Sequence, residues 1–92
     1  MLKVRYSKQF KKDFKLAQKR GLPLQELKDI LEKLANGEPL EEKHHDHNLT
    51  GNYISFRECH IRPDWLLIYR INQGELVLVA QRTGTHSDLF GN

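Results

Sequence analysis

Two imidazoles, a carboxylate, a guanidinium and an indole lie in three short stretches of this 92-residue chain. They are His60, Asp64 and Trp65 in His60-Ile61-Arg62-Pro63-Asp64-Trp65, Arg82, and His86 in Thr83-Gly84-Thr85-His86. Such groups suit phosphodiester cleavage in RNA, where the 2′-hydroxyl attacks the neighbouring phosphate. That reaction wants a base for the hydroxyl and an acid for the 5′-oxygen leaving group. It also wants a fixed cation beside the charge that builds on phosphorus. Histidine titrates near neutrality and suits either proton role. Arginine stays charged and can grip a phosphate with two parallel donors. An aromatic side chain such as Trp65 or Phe90 can stack on an unpaired base. This chemistry calls for no metal ion and no cofactor.

The elements that must position these groups are legible. Leu2, Val4 and Tyr6 alternate with Lys3 and Arg5, which predicts a short strand. Ser7 can cap a helix carrying Phe10, Phe14 and Ala17 on one face. Gly21 can end it, and Pro23 opens a second helix with the stripe Leu24, Leu27, Ile30, Leu31 and Leu34. The short link between them favours an antiparallel pair. Residues 38–52 have no period and read as a loop. Three strands follow: Tyr53–Ile61, Trp65–Ile71 and Leu76–Gln81, joined at Arg62-Pro63-Asp64 and Asn72-Gln73-Gly74. The near-continuous apolar run Trp65–Ile71 predicts a central strand covered on both faces. Ser87-Asp88-Leu89-Phe90 suits a last helical turn. The expected fold class is α+β, a single domain over 1–92 in the order β-α-α-β-β-β.

The meander brings the chemistry together. His60 precedes the first turn, and Asp64 and Trp65 lie in or just after it. The chain then runs away and back, so Arg82 and His86 return to the same end. His47 does not follow from this argument, because it precedes the opposite end of its strand.

The net charge is +3, but the first twenty residues hold eight basic side chains against Asp13 alone. Lys11, Lys12, Lys15, Lys19 and Arg20 therefore offer a face to a polyanion, or only a solvated helix surface. No apolar run approaches the roughly 20 residues of a membrane helix, and no signal-peptide pattern stands at the N-terminus. The single cysteine, Cys59, excludes an internal disulfide and fits the reducing cytoplasm.

Each group also has a structural reading. Trp65 has apolar neighbours that suit a core position, and Asp64 is ordinary turn chemistry. Cys59 and His60 are strand neighbours that point to opposite faces, so they form no nucleophile–base pair. His44-His45-Asp46-His47 lacks the partners and spacing of a zinc site.

Several blocks resemble one family in order and spacing. They are Lys12-Asp13-Phe14-Lys15-Leu16-Ala17-Gln18-Lys19-Arg20, Asp46-His47-Asn48-Leu49-Thr50-Gly51, Phe56-Arg57-Glu58-Cys59-His60-Ile61, Pro63-Asp64-Trp65-Leu66-Leu67-Ile68-Tyr69, Arg82-Thr83-Gly84-Thr85-His86 and Leu89-Phe90. Together they look like the YafQ branch of the RelE/ParE toxin superfamily. The resemblance implies two helices on a twisted antiparallel sheet, as in microbial ribonucleases. It implies a toxin that cleaves messenger RNA in the A site of the 70S ribosome and an antitoxin that neutralises it. The operator DNA is expected to be bound only by the toxin–antitoxin complex. By position the site would be His47, His60, Asp64, Trp65, Arg82, His86 and Phe90. In this reading His86 is the general acid, Arg82 holds the phosphate, and His60 assisted by Asp64 is the base, with swapped acid and base roles also open. His47 would contact substrate or share a proton role, and Lys11, Lys12, Lys15, Lys19 and Arg20 would grip ribosomal RNA or an acidic antitoxin segment. Three other readings stay open: a non-catalytic gyrase inhibitor on the same scaffold, a plain nucleic-acid-binding module, and a metal-dependent nuclease built on His44–His47.

Overall fold

The computed structural model describes residues 1–91. Strand β1 (Lys3–Tyr6) leads into helix α1 (Lys8–Lys19), and α2 (Leu24–Ala35) follows after the Gly21 turn. Ser7 caps α1 by accepting the Phe10 amide at 2.9 Å. A single 3-10 turn (Glu42–His44), the two-residue strand β2 (His47–Asn48) and a second 3-10 turn (Gly51–Tyr53) fill the stretch expected to be loop. The strands β3 (Arg57–Arg62), β4 (Trp65–Asn72) and β5 (Val77–Gly84) form the meander, and α3 (His86–Phe90) closes the described chain.

The five strands lie in the order β1-β5-β4-β3-β2. The expected antiparallel sheet is therefore mixed. β1 pairs parallel with β5, and the other neighbours are antiparallel. A parallel neighbour needs a crossover, and α1, α2 and the meander together supply it. Strand β3 also begins four residues later than the expected Tyr53, because Gly51–Tyr53 coils instead.

β4 is covered on both faces, as its sequence predicts. Trp65, Leu67 and Tyr69 face the core under α1 and α2, beside Phe10, Leu27, Leu31 and Leu78. Leu66 and Ile68 face a smaller cluster formed with Leu89, Leu49, Tyr53 and Phe56. The second cluster seats α3 and the 49–56 segment on the sheet. No helix among the described residues is long and apolar enough to cross a membrane.

Two bulges aim the functional strands. Between His60 and Arg62 the β3–β4 register shifts by one residue, next to the tight turn at Pro63-Asp64. Between Ile68 and Tyr69 the β4–β5 register shifts too, leaving Gln81 as the extra residue beside Arg82. Ser7 Oγ donates to the Gln81 carbonyl at 2.6 Å, which fixes this bulge from the start of α1. Bulges of this kind re-aim the side chains that follow them.

Candidate active site

The turn between β3 and β4 and the start of α3 lie together, as the meander requires. Asp64 Oδ1 accepts hydrogen bonds from the His86 backbone amide at 2.9 Å and from His86 Nδ1 at 2.7 Å. These two bonds, the backbone one first, hold the Asp64 carboxyl below its usual range. The Nδ1 proton is thereby committed to the carboxylate, and Nε2 is left for chemistry.

His60 is served by a different carboxylate. The expected partner was Asp64, but Asp64 belongs to His86. Behind His60 stands Glu58, which is 5% exposed and accepts from His60 Nε2 at 3.2 Å. Glu58 and His60 are two residues apart on one strand and so share a face. That spacing was the available signal for Glu58.

His47 joins the same carboxylate, its Nε2 lying 3.6 Å from Glu58 Oε1. It arrives because β2 pairs with β3, with His47 opposite Glu58. Its Nδ1 donates to the His45 carbonyl at 2.5 Å. His44 Nδ1 donates to the His60 carbonyl at 2.6 Å. The His60 ring therefore has three imidazole neighbours, with centroids 5.5 Å away at His45, 6.4 Å at His47 and 5.6 Å at His86.

A polar network holds β2 in place. Asp46 Oδ1 accepts from the Tyr69 hydroxyl at 2.6 Å and from Arg57 Nε at 3.2 Å, while Arg57 Nη1 donates to Asn48 Oδ1 at 2.7 Å. Burial, and then Asp46, push the Tyr69 hydroxyl well above its ordinary range, so it remains a donor. Burial likewise pushes the Cys59 thiol up, and it lies wholly inside the core.

Arg82 is present at the site but is not wholly free. Asp13 of α1, itself buried, takes its Nε at 3.0 Å and Nη2 at 3.1 Å. The Asp13 contact, opposed by burial and seconded by the Tyr53 hydroxyl, raises the guanidinium above its already high range. Asp13 also accepts from the Thr83 amide at 3.2 Å. Asp13 occupies the side-on edge of the fork, which leaves Nη1 and the second Nη2 proton as paired donors for a phosphate.

Two expectations are corrected. Trp65 is 2% exposed, so it packs the core and offers no face to a base. Its indole N–H is buried without a hydrogen-bond partner. Arg20 is not a spare cation, because Asp88 of α3 holds it through Nη1 at 2.6 Å and Nη2 at 3.1 Å. Lys11, Lys12, Lys15 and Lys19 are exposed on α1 as expected. Phe90 is 39% exposed at the end of α3, against Tyr53.

Among the described residues, Glu58, His60 and His86 also present one possible ligand atom each, all within 4.8 Å of one another. Two imidazoles and a carboxylate fit a zinc or copper ion. The His44–His47 run does not make this trio.

Comparison with known proteins identifies the family and the fold. The family model described as bacterial toxin of type II toxin–antitoxin system, YafQ, matches residues 2–91. The mRNA interferase toxin YafQ of Escherichia coli K12 is 43% identical over 89 residues, covering 96% of this chain and 95% of the relative. A crystal structure of a metal-bound toxin from Helicobacter pylori matches with a TM-score of 0.93 and 44% identity, covering 98% of this chain and all of that one. The toxin in the E. coli DinJ–YafQ complex matches with a TM-score of 0.89 and 41% identity, over 99% of this chain and all of that one. The chain that assembles these histidines, carboxylates and Arg82 at one end of its sheet belongs to the YafQ family of bacterial toxins.

Proposed function

We propose that this protein is a ribosome-dependent, metal-independent endoribonuclease that cuts messenger RNA in the ribosomal A site and so stops translation. The observation that carries the reading is the pair His60 and His86, with ring centroids 5.6 Å apart and each imidazole backed by its own carboxylate. A gyrase inhibitor has no need of two positioned proton carriers. A passive nucleic-acid-binding module has none either.

In the proposed reaction, His60 Nδ1 takes the proton of the 2′-hydroxyl. The 2′-oxygen attacks phosphorus, and the phosphorane charge rests on the outer edge of Arg82. The P–O5′ bond breaks as His86 Nε2 delivers its proton to the leaving oxygen, giving a 2′,3′-cyclic phosphate and a free 5′-hydroxyl. Glu58 holds His60 in orientation, Asp64 does the same for His86, and His47 stands beside the substrate. Should a transition metal occupy Glu58, His60 and His86, it would supply Lewis acidity there but would take up the groups that carry protons.

The exposed lysines Lys11, Lys12, Lys15 and Lys19 grip ribosomal RNA phosphates, with binding that weakens steeply as salt rises. A cognate antitoxin neutralises the toxin, as the DinJ–YafQ complex suggests by analogy. The two together bind their operator DNA, and the compartment is the cytoplasm. The test is primer extension on a defined message with 70S ribosomes, in chelator, with and without His86→Ala. Cuts within A-site codons that vanish in the variant support the reading. No cuts from protein that still arrests growth would move it to gyrase inhibition.

A further inference from the structure

His86 is the first residue of α3, a helix of only five residues. So short a helix has too few internal bonds to hold itself in water. Its first turn is held from outside instead. Asp88 and Thr85 close a capping box, in which Asp88 Oδ2 accepts the Thr85 amide at 2.9 Å and Thr85 Oγ1 accepts the Asp88 amide at 3.0 Å. The His86 amide is taken by Asp64. The Asp88 carboxylate also receives both prongs of the Arg20 guanidinium, at 2.6 and 3.1 Å.

Two further features join this clamp to the rest of the fold. Gly84, the last residue of β5, gives Asp88 its seat, because a Cβ there would stand 2.9 Å from Asp88 Oδ2 and 3.0 Å from Asp88 Cβ. Arg20 caps the C-terminus of α1, its backbone amide donating to the Leu16 carbonyl at 3.0 Å. Asp13, which holds Arg82, lies seven residues earlier on the same helix. Seven residues are about two helical turns, so Asp13 and Arg20 leave α1 on one face. One face of one helix thus holds both Arg82 and the turn that bears His86. Lys11, Lys12, Lys15 and Lys19 are exposed on its other sides.

We propose that Arg20, acting through Asp88, is a positioning residue for His86. The ion pair fixes the first turn of α3 against α1, and with it the direction in which the His86 imidazole leaves the backbone. Because α1 also holds Arg82 through Asp13, the same helix sets the acid and the phosphate contact relative to each other. Neither Arg20 nor Asp88 touches the reacting atoms. A reacting group that drifts by about 1 Å can cost on the order of 10² in rate, so a clamp remote from the chemistry acts on turnover. The inference rests on the ribonuclease reading for its effect on rate, but the order that it predicts in α3 is measured without RNA.

The experiment compares the full chain with Arg20→Ala, Arg20→Lys, Asp88→Asn and the double variant Arg20→Ala/Asp88→Asn. Single-turnover cleavage on programmed 70S ribosomes should lose roughly 10- to 100-fold in kcat for Arg20→Ala and Asp88→Asn, with KM near that of the parent. The double variant should lose no more than either single one, because both remove the same contact. Arg20→Lys keeps the charge and gives up the two-pronged grip, so its rate should fall as well. Lysine at this exposed position carries the test if Arg20→Ala fails to fold. In the free protein, amide exchange should quicken at Thr85, His86 and Leu89 and stay unchanged in β4. A rise in KM at constant kcat would make Arg20 a ribosome contact and overturn the proposal. Additive losses, or exchange that quickens equally in β4, overturn it too. A parent that cuts nothing overturns the ribonuclease reading, while amide exchange still decides the clamp.

Discussion

One oxygen of Asp64 accepts both the backbone amide and the ring Nδ1 of His86. The contact orients the imidazole and fixes its tautomer without burying either partner. His86→Ala is expected to cut the rate by roughly 10²–10⁴, the usual worth of a positioned acid. Asp64→Asn should cost less, because the side chain still reaches His86 while the orienting charge is gone. Single-turnover cleavage on programmed ribosomes, with ribosome binding measured separately, gives both numbers. Equal loss in the two variants would mean that Asp64 does more than orient.

The trio Glu58, His60 and His86 predicts inhibition by zinc. A metal ion there takes the lone pairs that the proton steps need. Added zinc should lower cleavage, chelator should restore it, and Glu58→Ala should weaken zinc binding measured by calorimetry. Loss of activity on chelation would instead reverse the metal-independent reading.

Removing the Asp13 carboxylate leaves Arg82 and the Thr83 amide without their shared partner. Asp13→Ala should destabilise the fold by about 2–4 kcal/mol, as expected when one member of a largely buried ion pair is lost. Urea unfolding measures it. A change below half a kcal/mol would show that water replaces the carboxylate without loss.

Asp88 gives an acid-side prediction. The Arg20 guanidinium, with help from the Thr85 amide, holds its carboxyl far below the ordinary value. A lowered folded pKa contributes stability that is complete above the unfolded value, roughly 3.9, and is lost as pH falls below it. Melting temperatures should thus drop more steeply below about pH 4 in the parent than in Asp88→Asn. Parallel curves would remove Arg20–Asp88 from the account of acid stability.

Charge reversal at Lys11 and Lys12 should abolish ribosome binding and flatten its salt dependence, since each lost phosphate contact lowers the slope. Pull-down with the antitoxin separates the two uses of this face. Antitoxin binding lost in step with ribosome binding would assign α1 to both.

Much of this arrangement is legible in the sequence. The apolar run of β4 announced a strand covered on both faces, and two turns sufficed to bring His60, Asp64, Arg82 and His86 to one end. What escaped depended on contacts between distant segments. The β2 pairing that delivers His47 rests on two residues, too few to show an alternating pattern. Asp13 looked like a lone acid among lysines, and only the packing of α1 against β5 turns it toward Arg82. Glu58 was hidden by burial, which the sequence pattern of a polar strand residue does not advertise. Trp65 went the other way, because its apolar neighbours outweighed its family position as a contact for substrate.

The clamps from α1 to the far end of the chain, Asp13 to Arg82 and Arg20 to Asp88, span 69 and 68 residues. β1 adds a parallel partner for β5 across a similar separation. Contacts so distant in sequence form late and slow the search for the native state. A growing polypeptide therefore lacks a working centre until the segment carrying His86 has been synthesised and has met helix α1.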